Sequence, residues 1–181
     1  MENEVLGAII PGLSLELKEL NEETLDDGKP GKRVELLSRR GNIYVPFRCE
    51  SEGIKKTVSI LGRLIDVYSD ENACLAIDEL DSGIFEFLLG EILQVISDHG
   101  KGQLIFTAHN LRPLECLPSS CLVFTTTNPD NRYIKFRGSG ASNNLRSQYL
   151  RAIKLGGQKE QVYEPTSETE IGAAFYRACH S

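Results

Sequence analysis

The chain has 181 residues, 40% of them apolar and 25% charged, with 20 basic and 26 acidic side chains and a net charge of −6. This is the composition of a soluble globular chain holding one compact domain or two very small ones, and it excludes a disordered, collagen-like or coiled-coil chain. No apolar run approaches the ~20 residues of a membrane-spanning helix. The acidic start, Met1-Glu2-Asn3-Glu4, lacks a signal-peptide pattern, so a cytoplasmic protein without membrane attachment is expected. An acidic surface does not attract polyanions as a whole.

Residues 2–10 place Val5, Leu6, Ile9 and Ile10 on one helical face, and Pro11-Gly12 ends the helix. Leu13, Leu15 and Leu17 alternate with polar residues and predict a half-buried strand. An acidic turn from Asn21 to Gly31 follows. Val34–Ser38 and Ile43–Arg48 then predict two more strands, so residues 1–50 read as a small antiparallel sheet. Val58, Leu61, Leu64, Ile65 and Tyr68 form a helical stripe. Ala73–Ile77 reads as a strand covered on both faces. Phe85, Leu88, Leu89, Ile92 and Ile96 form the next helical stripe, and Leu104–Thr107 another short strand. A brief helix at Leu111–Leu117, a strand at Leu122–Thr126 and a hairpin returning through Tyr133–Phe136 complete the predicted domain, residues 1–137. Alternating strands and helices imply a parallel sheet. Residues 138–181 are expected to be a Gly-Ser linker followed by helices near 144–155 and 168–179, parted by Gly156-Gly157.

Four short segments carry chemistry. In Cys74-Leu-Ala-Ile-Asp78-Glu79, an apolar strand runs into two adjacent carboxylates. Adjacent acids point apart, so one suits a magnesium ion and the other an attacking water. The plain alternative is a pair that opens a solvent loop. In Phe106-Thr107-Ala108-His109-Asn110, the next strand ends near a histidine able to meet a phosphate oxygen; alone, such a histidine is more often a cap or a core residue. Glu50-Ser51-Glu52-Gly53 precedes a helix, where Ser51 suits the N-cap and free backbone N–H groups suit a phosphate. Leu80-Asp81-Ser82-Gly83 follows the acidic pair; Asp81 or Ser82 as a helix cap is the simpler reading, and a loop facing a partner subunit the functional one.

The separations are 27 residues from Ser51 to Asp78 and 31 from Asp78 to His109. Taken together, this order and spacing resemble the second lobe of ABC-type ATPase heads. Within that class the chain is most similar to the chromosome-maintenance and break-repair ATPases and to the ATP-binding proteins of the overcoming-lysogenization-defect type. The resemblance covers roughly residues 13–137. It implies an α/β, P-loop NTPase-like C-terminal lobe: a parallel sheet with flanking helices, a small antiparallel N-terminal sheet and C-terminal helices. It matches Asp78-Glu79 to the Walker B pair, Ser51 and Gly53 to the signature motif, Asp81 to the D-loop and His109 to the switch histidine. Asp78 would then bind magnesium, Glu79 act as general base, and His109 contact the γ-phosphate of ATP. Ser51 and Gly53 would cap the γ-phosphate held by the opposing head of a dimer.

No Gly-x-x-x-x-Gly-Lys-Ser/Thr occurs, and Gly28-Lys29-Pro30-Gly31-Lys32-Arg33 suits a surface turn. The resemblance therefore implies half an ATPase, inactive alone, whose Walker A-bearing lobe lies upstream in a longer chain or on another polypeptide; the former is expected. Self-association, an effector protein and a DNA-related or phage-defence setting follow by analogy. The competing readings are a non-catalytic assembly module of the same fold and a metal-dependent nuclease using Glu79, Asp81 and another acid. Arg132, Lys135, Arg137, Arg146, Arg151 and Lys154 read as a solvated basic face, with nucleic-acid contact as the alternative. The five cysteines read as reduced thiols; a zinc site from Cys116, Cys121, Cys179 and His180 matches no standard spacing.

Overall fold

The computed structural model describes residues 2–24, 28–135, 145–155 and 160–180. It divides into two compact units, Met1–Asn110 and Leu111–Ser181. Both mix helices with small sheets, giving a mixed α/β chain. No helix among the described residues is long and apolar enough to cross a membrane.

In the first unit, helix α1 (Glu2–Ile9) leads into strand β1 (Leu13–Thr24), which pairs antiparallel with β2 (Pro30–Arg40); β2 pairs with β3 (Ile43–Pro46). The predicted apolar face of α1 is the one buried. Leu6, Leu13 and Leu61 form a core cluster against which Val5, Ile9, Ile10, Ile54, Val58 and Ile65 pack. Two boundaries differ from expectation. The acidic stretch predicted as a turn from Asn21 to Gly31 is paired at both ends, since Glu22, Glu23 and Thr24 lie opposite Lys32, Gly31 and Pro30. Opposite charges across the strands favour this pairing: Lys32 meets Glu19 at 2.8 Å and Arg33 meets Glu23 at 3.5 Å. β3 ends at Pro46, and Phe47–Cys49 form a 3₁₀ turn instead of continuing the strand to Arg48. The alternation that predicts a buried face also outruns the core: Leu13 is buried, but Leu17 is 69% exposed.

Helix α2 (Glu52–Ser69) buries Thr57, Leu61, Leu64 and Val67. Val67 takes the inward position expected of Tyr68, which is exposed. Strand β4 (Cys74–Ile77) pairs parallel with β5 (Gln103–Phe106), joined through helix α3 (Glu86–His99). Here two expectations are corrected. Among the described residues the parallel sheet has two strands, and one of its faces is open rather than covered: Cys74, Ala76 and Gln103 are exposed, and Ile105 is 53% exposed. Phe85, expected on the buried stripe of α3, sits at the helix N-cap and is exposed. The buried positions go to Leu80 and Ile84 in the preceding loop and to Leu89 and Leu93 in the helix. Buried Leu80 and Ile84 anchor the loop that carries the acidic pair.

The second unit holds a short helix α4 (Pro113–Cys116), the hairpin β6 (Phe124–Thr125) with β7 (Tyr133–Ile134), and helices α5 (Leu145–Leu155) and α6 (Glu168–Cys179). Within the predicted strand at Leu122–Thr126, the two residues of β6 pair antiparallel with β7 among the described residues. Arg146 of α5 reaches Glu115 of α4 at 2.8 Å, and Tyr149 stacks on Phe124. α6 has no buried residue. The predicted linker at 138–142, the end of the hairpin at Phe136, Arg137 and Gly156-Gly157 lie outside the described residues.

Candidate functional site

The carboxyl ends of β4 and β5 bring the predicted residues together. Beyond the strands, pairing continues for one step: the Thr107 N–H donates to the Ile77 carbonyl at 3.1 Å, and the Leu80 N–H donates to the Thr107 carbonyl at 2.9 Å. Asp78 and Glu79 are thereby held between two ladder hydrogen bonds. The Thr107 hydroxyl accepts from the Glu79 N–H at 2.7 Å and donates to Asp78 Oδ1. Glu79 adopts a left-handed backbone, φ 48°. Its carbonyl accepts from the Ser82 N–H at 3.0 Å and from the ammonium of Lys56 on α2. The two carboxylates diverge as adjacent acids should. Asp78 turns to Thr107, whereas Glu79 Oε1 lies 3.7 Å from His109 Nε2.

Side-chain exposure is 83% for His109 and 58% for Glu79. His109 is therefore not a core residue, and the N-cap of the helix that follows is Arg112. Its loop is held through its backbone: Asp81 Oδ2 accepts from the His109 N–H at 3.0 Å and from the Asn110 N–H at 2.8 Å. Asp81 Oδ1 is buried with no partner among the described residues. Neither Asp81 nor Ser82 caps the next helix, because that place falls to Phe85, which makes no side-chain cap. With one oxygen on two amides and the other enclosed, Asp81 is not presented as a metal ligand, and the nuclease reading loses one of its acids.

The start of α2 closes the cluster. Ser51 occupies the N-cap with extended backbone, and its Oγ accepts from the Ile54 N–H at 3.3 Å. Gly53 packs against Gly83 of the acidic loop so closely that a Cβ on Gly53 would lie 1.8 Å from the Gly83 carbonyl oxygen. Gly83 has φ +75°, a conformation side chains disfavour. Lys55 pairs with Glu52 at 2.9 Å and offsets that acid near the helix terminus, whereas the Lys56 ammonium donates to the Glu79 carbonyl.

Behind Ser51 stands Glu50, whose side chain is only 8% exposed. It takes both terminal nitrogens of Arg40, at 2.5 and 3.1 Å, and the Ser38 hydroxyl at 2.5 Å. The Arg40 guanidinium, and then Ser38, hold its carboxyl below the usual glutamate value. This bridge ties the antiparallel sheet to the entrance of α2.

Three contributors went unremarked in the sequence. These are Thr107, at the end of a predicted strand, Glu50, in the segment before the helix, and Lys56, to which the sequence assigns no role. A hydroxyl ending an apolar strand, one residue short of Ala108-His109, is the only local signal of the first. The other two depend on what folds against them.

The basic cluster is partly engaged within the second unit. Arg146 binds Glu115, Lys135 donates to the Ser120 carbonyl at 3.1 Å, and Arg132 to the Pro129 carbonyl at 3.3 Å. Arg151 and Lys154 are exposed. All five cysteines are free, and no cluster of three or more His, Cys, Asp or Glu able to hold a metal occurs among the described residues.

Comparison with protein-family models and with curated proteins finds no match. Among solved structures, the chain is similar to the SMC head bound to the C-winged helix domain of ScpA, with 17% identity and a TM-score of 0.44. That likeness covers 61% of this chain and 34% of the other, so this chain spans about a third of the length of its neighbour. A likeness of that size carries no argument, and the functional reading rests on the site.

Proposed function

We propose that this chain is the ATP-hydrolysing, dimerising second lobe of an ABC-type ATPase head, completed by a lobe bearing the Walker A loop. One observation carries the reading. Asp78, Glu79 and His109 stand at the carboxyl ends of two adjacent parallel strands, and the amino terminus of α2, with Ser51 and Gly53, is clasped to the same loop. Open α/β sheets bind ligands outside the carboxyl ends of their strands.

Glu79 would take a proton from an attacking water, and His109 beside it would donate to a phosphoryl oxygen. Asp78, a hard carboxylate oriented by Thr107 through one oxygen, fits a magnesium ion, which usually takes one or two carboxylates together with phosphates. Bound there, magnesium would neutralise charge developing on the phosphoryl group. The first N–H groups of α2 suit the phosphate of a nucleotide held by an opposing copy. The water exposure of Glu79 and His109 explains why the lobe alone is expected to be inactive, since such groups act strongly only where water is excluded. A second copy, an effector protein and a DNA-related or phage-defence setting are the proposed partners and context.

The test is Glu79→Gln in the head completed with its Walker A-bearing lobe. ATP turnover is expected to fall about 100-fold or more, with ATP binding retained. Unchanged turnover would favour a non-catalytic assembly module of the same fold.

A further inference from the structure

Among the described residues, Glu79 alone takes a positive φ without being glycine. Side chains disfavour that conformation, and an outlier held by its surroundings at a candidate site calls for a functional reason. Both peptide groups of Glu79 are gripped. On one side its N–H donates to Thr107 Oγ1 at 2.7 Å. On the other its carbonyl accepts from Lys56 Nζ and the Ser82 N–H. Thr107 arrives from the end of β5 and Lys56 from the first turns of α2, so these two grips are long-range contacts, added to the local one from Ser82. The Thr107 hydroxyl also donates to Asp78 Oδ1. One hydroxyl thus sets the carboxylate of one acid and the backbone of the other.

We infer that Thr107 and Lys56 are positioning residues that lock Glu79 in its left-handed conformation and so direct its carboxylate toward His109. This rests on the proposed ATPase reading for its catalytic consequence. It goes beyond that reading because neither residue touches the reacting atoms. Lys56 lies three residues beyond Gly53 on the same helix, so a shift of α2 is felt at the Glu79 carbonyl.

The experiment has two arms. On this chain alone, the Glu79 amide is expected to exchange with solvent at least tenfold faster in Thr107→Val than in the unaltered chain or in Thr107→Ser, which keeps the hydroxyl. Glu79→Gly is expected to melt roughly 2–4 °C above Glu79→Ala, because only glycine takes the left-handed backbone freely. In the head completed with its Walker A-bearing lobe, Thr107→Val is expected to lower kcat between about 10- and 100-fold with KM for ATP within about twofold. Thr107→Ser restores kcat to within about threefold, and Lys56→Met lowers it about tenfold. Equal kcat for Thr107→Val and Thr107→Ser overturns the proposal, as does a glycine variant no more stable than the alanine one. If the unaltered completed head hydrolyses no ATP, the ATPase reading and the catalytic consequence fall together, while amide exchange and melting still decide whether Thr107 locks the backbone.

Discussion

Replacing Gly53 with alanine is expected to destabilise the chain by about 3 kcal/mol or more, lowering its melting temperature by roughly 6–12 °C. The new Cβ would sit 1.8 Å from the Gly83 carbonyl oxygen and 2.8 Å from its carbon. Those are backbone atoms, so no rotamer change relieves the overlap. A Cβ on Gly83 would in turn lie 3.0 Å from Gly53 Cα, and its φ of +75° adds strain to any substitution there. Relief requires the first turn of α2 to move off the acidic loop. That movement would also part Lys56 from the Glu79 carbonyl and strain the bond from Thr57 Oγ1 to the Gly53 carbonyl, 2.8 Å long and made by a buried side chain. The comparison is Gly172→Ala in α6, where a Cβ meets nothing within 4 Å. There the exchange of glycine for a better helix former is expected to be neutral or stabilising, by up to about 1 kcal/mol. Urea or thermal melts of the two variants check both signs. A Gly53→Ala cost below about 1 kcal/mol would mean that the two backbones are not in contact.

Loss of Glu50 comes next in size. Glu50→Ala is expected to cost about 2–3 kcal/mol, because it strips a nearly enclosed carboxylate from Arg40 and from Ser38, which is 1% exposed. Glu50→Gln keeps the shape and loses the charge, so its cost is expected to be smaller, about 1–2 kcal/mol. The pH dependence follows from the lowered pKa. Arg40 makes the folded carboxyl release its proton more readily than the unfolded one, whose ordinary value is 4.5. The contribution is therefore complete above that value and disappears as pH falls through the folded value. Melts of the unaltered chain and of Glu50→Gln between pH 3 and 7 should differ by a constant amount at the neutral end and converge in acid. A difference independent of pH would show that the ion pair contributes nothing. Glu115, held down by Arg146 and then Arg112, shifts in the same direction but is common to both chains and cancels in the comparison.

Both effects concern the scaffold of the site, and neither was legible as such in the sequence. Ser51 as an N-cap was, because capping is a transaction within four residues. The acidic pair at a strand end was, because a short apolar run and its polar termination lie side by side in the chain. The two glycines stood out only as members of separate motifs. Their shared reason, one backbone laid against another, joins positions 30 residues apart. Thr107 and Asp78 are 29 apart, Lys56 and Glu79 23 apart, and nothing local to any of them announces the partner.

The same division runs through the fold. Periodicity and composition were enough to place α1, α2, α3, α5, α6 and the paired strands, since each element's period follows from its own backbone geometry. Register and coverage were not available from that source. The hairpin lengthened through the acidic stretch because Lys32 and Arg33 come opposite Glu22 and Asn21 and pair diagonally with Glu19 and Glu23. Phe85 lost the buried place to Leu80 and Ile84 because the loop folds inward before α3 begins. The apolar residues of β4 and β5 announce a strand with two covered faces, yet how many strands stand beside it depends on chain distant from it in sequence. Local periods are written in neighbouring residues, whereas burial, register and the orientation of the Glu79 carboxylate are set by contacts between residues that only folding brings together.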